Sequence, residues 1–491
     1  MSMLSITFSP QLPRDVNTLV LGVAKDHKLG PVFDDLEASN QALIKQLIEN
    51  KTFKAEAGEV LPVYGQGDVA LVMLLGLGDD LSTAQKALTV GGKAAAALEK
   101  HKIAQVALAA PFCEDDPLSY VLEGLMLRSW RFDRYKKSNA VPLKTVTVVH
   151  AASEGLASRF SAQSHVTESV LWARGCVNEP GNVLYPQTFV DRIRAFESLG
   201  LRVEILDKAR MTALGMGSLL GVAQGSDYEP FLAVVHWQGG AEHDKPLAFV
   251  GKGVTFDSGG LSIKPSRGME EMKGDMGGAA VVMGLMRALA LTKAPINAVG
   301  VVALVENMPS GKAMRPGDIV TSMSGQTIEV LNTDAEGRLI LADALYYAHK
   351  HLTPRAMVDV ATLTGAMRFA LGPSYAGLFS PQDTLAHTLD AAGTTVGERV
   401  WRLPLCEAFT KAMESRVADL KNISSPGFGA GSSTAAAFLE RFVGDTPWAH
   451  LDIANVDFNA KDTDVATEGG CAFGLRLLYH WATKVAPSLT L

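Results

Sequence analysis

The chain has 491 residues, enough for two or three domains and a large core, and its 47 % apolar and 20 % charged content is that of an ordinary globular protein, not a disordered one. A net charge of −7, with no long run of Lys or Arg, leaves no electrostatic footprint for nucleic acid. The four cysteines, Cys113, Cys176, Cys406 and Cys471, are scattered and form no CxxC pair, which excludes a disulfide scaffold and a cysteine-ligated zinc and fits a reducing cytosol.

The opening "MSMLSITFSPQLPRD" lacks the basic start and apolar core of a signal peptide, and apolar runs such as "VALVMLLGLG" from Val69 are too short to span a bilayer, so the expectation is a cytoplasmic protein without membrane contact. Up to about residue 160, "TLVLGVA", "VALVMLLGLG", "IAQVALAA" and "TVTVVH" read as buried strands. "STAQKALTVGGKAAAALEKHK" and "DPLSYVLEGLMLRSWRF" read as helices between them, and the alternation predicts an α/β domain with a largely parallel sheet over residues 1–160. A connecting helix over 161–178, containing "VTESVLWARGCVN", runs into "EPGNVLYP", where Pro180, Gly181 and Pro186 mark the entry to a second domain over 179–491. That domain is again α/β. Its strands are "PLAFVGKGVTF", "INAVGVVALVE" and "AMVDVATLTG", and its helices "GGAAVVMGLMRALALT" and "RLILADALYYAHK". Glycines concentrate where these strands end, which in an open α/β sheet is where ligands bind.

"LNTDAEGRLILADALYYAHK", residues 331–350, places Asp334, Glu336 and Arg338 at every second position before a helix from Leu339 to Lys350. Thr333 and Glu336 match a capping box. Gly337 is a poor choice for a first helical turn, however, and residues at i, i+2 and i+4 share a side only in extended chain. An extended loop is therefore expected here, aiming all three charges at one point. Upstream, "GKGVTFDSGGLSIKPSRGMEEMKGDMGGAA" supplies Lys252, Asp257, Lys264 and Asp275. Each has a plain alternative: an Asx-turn for Asp257, a helix cap for Asp275, solvated surface for the lysines. Four carboxylates around one point carry a charge of about −4 that cannot be buried without counter-charge, and two divalent cations would supply it. An all-oxygen set suits Mg²⁺, Mn²⁺ or a carboxylate-bridged Zn²⁺ pair. The eleven histidines include no HExxH. The residues alone thus point to a two-metal hydrolase, and carboxylate clusters by themselves do not exclude a phosphoesterase.

"NTDAEGRL", with the lysine and aspartate spacing upstream, resembles the leucyl aminopeptidase family, the hexameric M17 metallopeptidases, and the likeness continues through "NEPGN", "VDVATLTGA", "SRVADLKN", "GAGSSTAAAFLERFV" and "HLDIA". It covers nearly all of the chain after residue 170. The resemblance implies one metal on Lys252, Asp257, Asp275 and Glu336, and a second on Asp257, Asp334 and Glu336, the ions being Zn²⁺ or Mn²⁺. Lys252, as a ligand, would have to lose its proton far below its ordinary pKa of roughly 10.4. The resemblance further implies that Lys264 stabilises the oxyanion and that Arg338 holds a bicarbonate ion doing general acid–base work. Met272, Thr362, Leu363, Gly365 and Ala454 would form an apolar pocket for the side chain of the cleaved residue. The implied activity is release of N-terminal residues, leucine or other apolar ones, from peptide substrates by metal-activated water. The implied assembly is a homohexamer, with the N-terminal domain structural and inter-subunit. An added DNA-binding regulatory role is the alternative carried by some bacterial relatives. One departure stands out: after "HLDIA" this chain reads "NVDF", and Asp457 falls near a position that in the family is often methionine or alanine. Facing the pocket it would broaden preference toward polar or basic first residues; facing outward it would change nothing. Because a buried unpaired carboxylate is costly, Asp457 is expected to face outward.

Overall fold

The computed structural model describes residues 4–111, 113–137 and 141–489. Residues up to Leu171, joined by the returning segment Asn459–Glu468, form one compact unit, and Trp172–Phe458 with the chain from Gly469 onward form the other. The helix expected over 161–178 begins earlier and runs from Ser153 to Asn178.

The first unit carries a sheet of six strands: β1 (Ser5–Ser9), β2 (Thr18–Ala24), β3 (Val60–Tyr64), β4 (Leu71–Gly78), β5 (Gln105–Ala109) and β6 (Thr145–Val149), in the order β1-β6-β5-β2-β4-β3. All neighbours are parallel except β3, which runs antiparallel on β4 at the edge. The interior strands β2 and β4 are buried almost throughout, which is why they read as unbroken apolar runs in the sequence.

The second unit is built on eight strands: β7 (Arg202–Leu206), β8 (Phe231–Gln238), β9 (Leu247–Asp257), β10 (Asn297–Asn307), then, past the short strands β11 (Ile319–Thr321) and β12 (Thr327–Glu329), β13 (Ala356–Ala361), β14 (Ala376–Phe379), β15 (Val400–Arg402) and, after β16 (Leu420–Lys421), β17 (Trp448–Asp452). The order is β15-β14-β17-β13-β9-β10-β8-β7. Its centre, β17-β13-β9-β10, is parallel, so four strands end on one edge with their loops side by side.

Two helices sandwich that centre, and the period-2 alternation of a strand decides which side chain meets which. On β10, Val299, Val301, Ala303 and Val305 share a core with helix Gly337–Tyr347, whereas Gly300 faces Met283 and Met286 of helix Gly277–Leu291. On β9 the even positions Ala248, Val250 and Val254 lie in the core of helix Gly337–Tyr347. Lys252 is the polar member of that row. The stretch Met269–Leu291 is long and apolar enough to cross a membrane, which the sequence reading overlooked, but 83 % of its most apolar window is buried and it is a core helix.

Asp343 fixes helix Gly337–Tyr347 from beneath. Its carboxylate accepts the backbone N–H of Leu219 at 2.8 Å and of Met323 at 2.7 Å, and it is fully buried. Asp343→Ala leaves both donors unpaired and is expected to cost about 3 kcal/mol of stability, read as a shift in the urea midpoint.

Candidate metal centre

β9 delivers two of the site residues. Lys252, 2 % exposed, sends its Nζ to Asp275 Oδ1 at 2.7 Å, Glu336 Oε1 at 2.9 Å and the Thr362 carbonyl at 2.8 Å. Burial alone would lower its pKa, but Asp275, Glu336 and Asp257 outweigh this and hold it well above the usual lysine range. Asp257 ends the strand. Its Oδ1 accepts from Gly259 N at 2.9 Å, so the plain Asx-turn is present, and from Asn307 Nδ2 at 2.8 Å. The turn and the site are thus one structure. Gly259 and Gly260 both have positive φ, and a Cβ on Gly259 would lie 2.5 Å from the Ser262 carbonyl and 2.9 Å from Asp334 Oδ1. Only glycine lets this loop fold beneath Asp334.

The segment 333–338 departs from the expected extended loop. Residues 333 and 334 form a turn, Glu336 is already in αR conformation, and the helix starts at Gly337. Asp334 and Glu336 converge, but Arg338 lies inside the first helical turn, does not line the site cavity, and gives its Nη1 to the Asn422 carbonyl at 2.8 Å. Its Nε is buried without a partner, and burial lowers its pKa to about 10. Thr333 does not cap the helix. Its hydroxyl donates to the Gly259 carbonyl at 2.6 Å and accepts from Ser262 N at 2.8 Å, tying the two acidic loops together. Asp275 does not cap either, because the N-cap of helix Gly277–Leu291 is Met276 and no side-chain bond is made there.

Gly337, awkward as a helix opener, has a local reason. A Cβ there would come within 2.6 Å of Lys252 Cε and 2.8 Å of its Nζ. The lysine crosses the first helical turn where glycine leaves room.

Lys264 and Lys252 are not surface lysines. Lys264 pairs with Asp257 Oδ2 at 2.7 Å and with Asp334, and these carboxylates, with Glu336, offset its partial burial and raise its pKa. Asp275 is buried, which drives its pKa well above the usual carboxylate range despite Lys252. Burial likewise raises Asp257 and Asp334. Carboxylate oxygens of Asp257, Asp334 and Glu336 all lie within 4.8 Å of one another. Asp275 Oδ2 and Glu336 Oε2 are buried with no partner. Repelling, partner-poor carboxylates in a buried cluster are a donor set short of cations, and oxygen donors of this kind fit hard or borderline divalent metals.

All these residues except Arg338 line a cavity of about 530 Å³ with Met272, Thr362, Leu363, Gly365 and Ala454. Asp457 lines it as well, 3 % exposed, so the outward orientation expected from the cost of burial is wrong. The bonds that replace solvent are described below.

Three supporting residues escaped the sequence reading. Asn307, at the end of β10, joins Asp257 to the Thr333 carbonyl (3.0 Å). Asn422 accepts from Leu331 N at 2.8 Å and gives its amide to the Asn332 carbonyl at 2.6 Å, holding the acidic turn. Asp452, closing β17, accepts from Leu363 N, Thr364 Oγ1 and Ala454 N. For Asn307 and Asp452 the available signal was a polar residue terminating an apolar run at the same sheet edge; Asn422, which follows the short strand β16 of another sheet, carried no such signal.

The family description "Cytosol aminopeptidase family, catalytic domain" matches residues 171–479, and "Cytosol aminopeptidase family, N-terminal domain" matches 20–139. A "Probable cytosol aminopeptidase" of Nitrobacter winogradskyi is 44 % identical over 98 % of this chain and 99 % of its own length. One of Sinorhizobium fredii is 51 % identical over 83 % and 84 %. Among solved structures, "Bottromycin maturation enzyme BotP in complex with Mn" superposes with a TM-score of 0.84 at 33 % identity, covering 96 % of this chain and 100 % of that one.

Proposed function

The chain belongs to the cytosol aminopeptidase family and is a metal-dependent aminopeptidase, and on that premise we propose that it releases leucine and other N-terminal residues from peptides with two divalent ions, Zn²⁺ or Mn²⁺, at this cavity. The observation that carries the reading is the convergence of Asp257, Asp334 and Glu336 from two distant loops around a buried lysine, with carboxylate oxygens left unpaired. Asp257, Asp275 and Glu336 would hold one ion together with Lys252, once it gives up the proton that its carboxylate neighbours now hold on it, and Asp257, Asp334 and Glu336 the other. Bound there, the ions supply Lewis acidity and a water of lowered pKa.

The protein's own groups do the remaining work. Lys264, kept protonated by Asp257 and Asp334, offers a fixed positive charge to the oxygen of the scissile carbonyl. Met272, Thr362, Leu363, Gly365 and Ala454 receive the first side chain and exclude water from it. Thr362 also gives its hydroxyl to Asp275 Oδ1 at 2.8 Å, linking the pocket wall to the acidic cluster. Arg338 would be the residue to hold a bicarbonate ion, which supplies a proton acceptor when bound; it stands outside the cavity lining with Nη1 taken by the Asn422 carbonyl, so its unpartnered Nε is the donor left to an oxyanion. We further propose a homohexamer acting in the cytoplasm, a reading that rests on family membership and is tested by sedimentation and by cell fractionation.

The test is hydrolysis of leucine p-nitroanilide by protein stripped with chelator and resupplied with Mn²⁺ or Zn²⁺, alongside Asp334→Ala. Activity is expected to vanish on stripping, return with metal, and stay absent in the variant. A folded, metal-loaded protein that releases no nitroaniline would overturn the leucine reading.

A further inference from the structure

Asp457 is the one buried charged residue lining the cavity that the acidic cluster does not account for. It lies three residues beyond Ala454 on the loop that leaves β17, and its backbone is fixed, with its N–H on the Ile453 carbonyl at 3.0 Å and its carbonyl taking Cys471 N at 2.8 Å. The carboxyl rests against the first turn of helix Gly277–Leu291, since a Cβ on Gly277 would come within 2.1 Å of Asp457 Oδ2. Backbone N–H groups of Ala472 and Phe473 bond the carboxyl, yet burial prevails and pushes its pKa up to about 7. Asp457 Oδ1 is buried with no hydrogen-bond partner. Among the described residues no lysine or arginine pairs with it: Lys252 is engaged by Asp275 and Glu336, Lys264 by Asp257 and Asp334, and Arg267 and Arg368, which also line the cavity, make no ion pair with it.

A carboxylate taken out of water without a counter-ion is costly, and a site that keeps one gains most from a partner that brings the missing charge. The cavity that Asp457 lines is the one that receives the side chain of the first residue, and Met272 and Ala454 on the same wall suit the methylenes of a long side chain. We propose that Asp457 is a specificity-determining residue that makes this pocket favour peptides beginning with a cationic side chain, lysine or arginine. The inference rests on the aminopeptidase reading above. A purely structural Asp457, serving only the helix terminus and the two N–H groups, would not discriminate between substrates differing in one charge.

Lysine and norleucine differ in that way: the same four-carbon chain, with and without the ammonium group. The experiment compares kcat/KM for the p-nitroanilides of lysine, norleucine and leucine on Mn²⁺-loaded protein, wild type and Asp457→Asn. Lysine is expected to exceed norleucine at least about tenfold in the wild type, and the ratio to fall at least about tenfold in Asp457→Asn, because a site built for a polar partner discriminates strongly against the analogue that lacks it. Norleucine cleaved as well as lysine by the wild type overturns the proposal without recourse to any variant, as does an unchanged ratio in an Asp457→Asn protein of native circular dichroism. Cleavage of leucine and norleucine with no lysine preference sinks this inference alone. Cleavage of none of the three removes the aminopeptidase reading, and this proposal with it.

Discussion

Glu336→Ala is expected to lower kcat/KM for leucine p-nitroanilide at least about a thousandfold, the scale of several kcal/mol that bound metal contributes to such a reaction. Glu336 is the hinge of the cluster. Its Oε1 meets Lys252 at 2.9 Å, its Oε2 is buried and unpaired, and it sits within reach of both Asp257 and Asp334. It is also the proposed ligand shared by both ions. Glu336→Gln keeps the shape and removes the charge, so it should lose nearly as much activity and bind less Mn²⁺ by elemental analysis. If the glutamine variant kept activity within tenfold of wild type, charge at this position would not be what the site requires. Stability should respond far less than activity. Lys252 keeps Asp275 and the Thr362 carbonyl, and one of three mutually repelling acids has gone.

Gly337→Ala separates the two properties in the opposite sense. Alanine is the better helix former by about 1 kcal/mol, so on propensity the variant should gain stability. The added methyl, however, occupies the space of Lys252, and that side chain cannot yield freely because its amine is pinned to Asp275, Glu336 and the Thr362 carbonyl. Mn²⁺ affinity and kcat/KM are both expected to drop on the order of a hundredfold, the range seen when groups that orient metal ligands are disturbed. Titration calorimetry measures the first and the nitroanilide assay the second. Unchanged affinity would mean that Lys252 relaxes without consequence.

What could be read in the sequence divides along a physical line. β2 appears with the bounds of its apolar run, and β9 and β10 within a residue or two, because strands buried on both faces must be apolar throughout. Asp257, Asp275, Asp334 and Glu336 were legible only as a group. Each alone had an ordinary use as a turn or cap residue, and it was their shared place at strand ends that asked for cations, while Lys252 joined them through the family resemblance. Local geometry was not. The i, i+2 spacing of Asp334, Glu336 and Arg338 suggested extended chain, whereas the helix claims Arg338 and passes it to Asn422, a partner 84 residues away. Thr333 had a plausible local role and was recruited by Gly259 and Ser262 instead, 71 to 74 residues upstream. Asp457 was misplaced for a related reason. The cost of burying it was judged without the Ala472 and Phe473 N–H groups or the terminus of helix Gly277–Leu291, none of which adjoins it in sequence.

The parallel centre β17-β13-β9-β10 also dictates when the site can come into being. In chain order β10 lies between Asp257 and Glu336, and the Thr362 carbonyl that receives Lys252 follows β13, which must itself dock on β9. Parallel neighbours cannot pair until the crossover between them is complete, so every pairing here closes a long loop. During synthesis the first two acids emerge well before their partners, and the wall that carries Ala454 arrives near the end. No short nascent segment holds enough ligands to capture an ion early. Metal would therefore be acquired by a catalytic unit already folded, and a fragment ending before β17 should neither fold cooperatively nor retain metal.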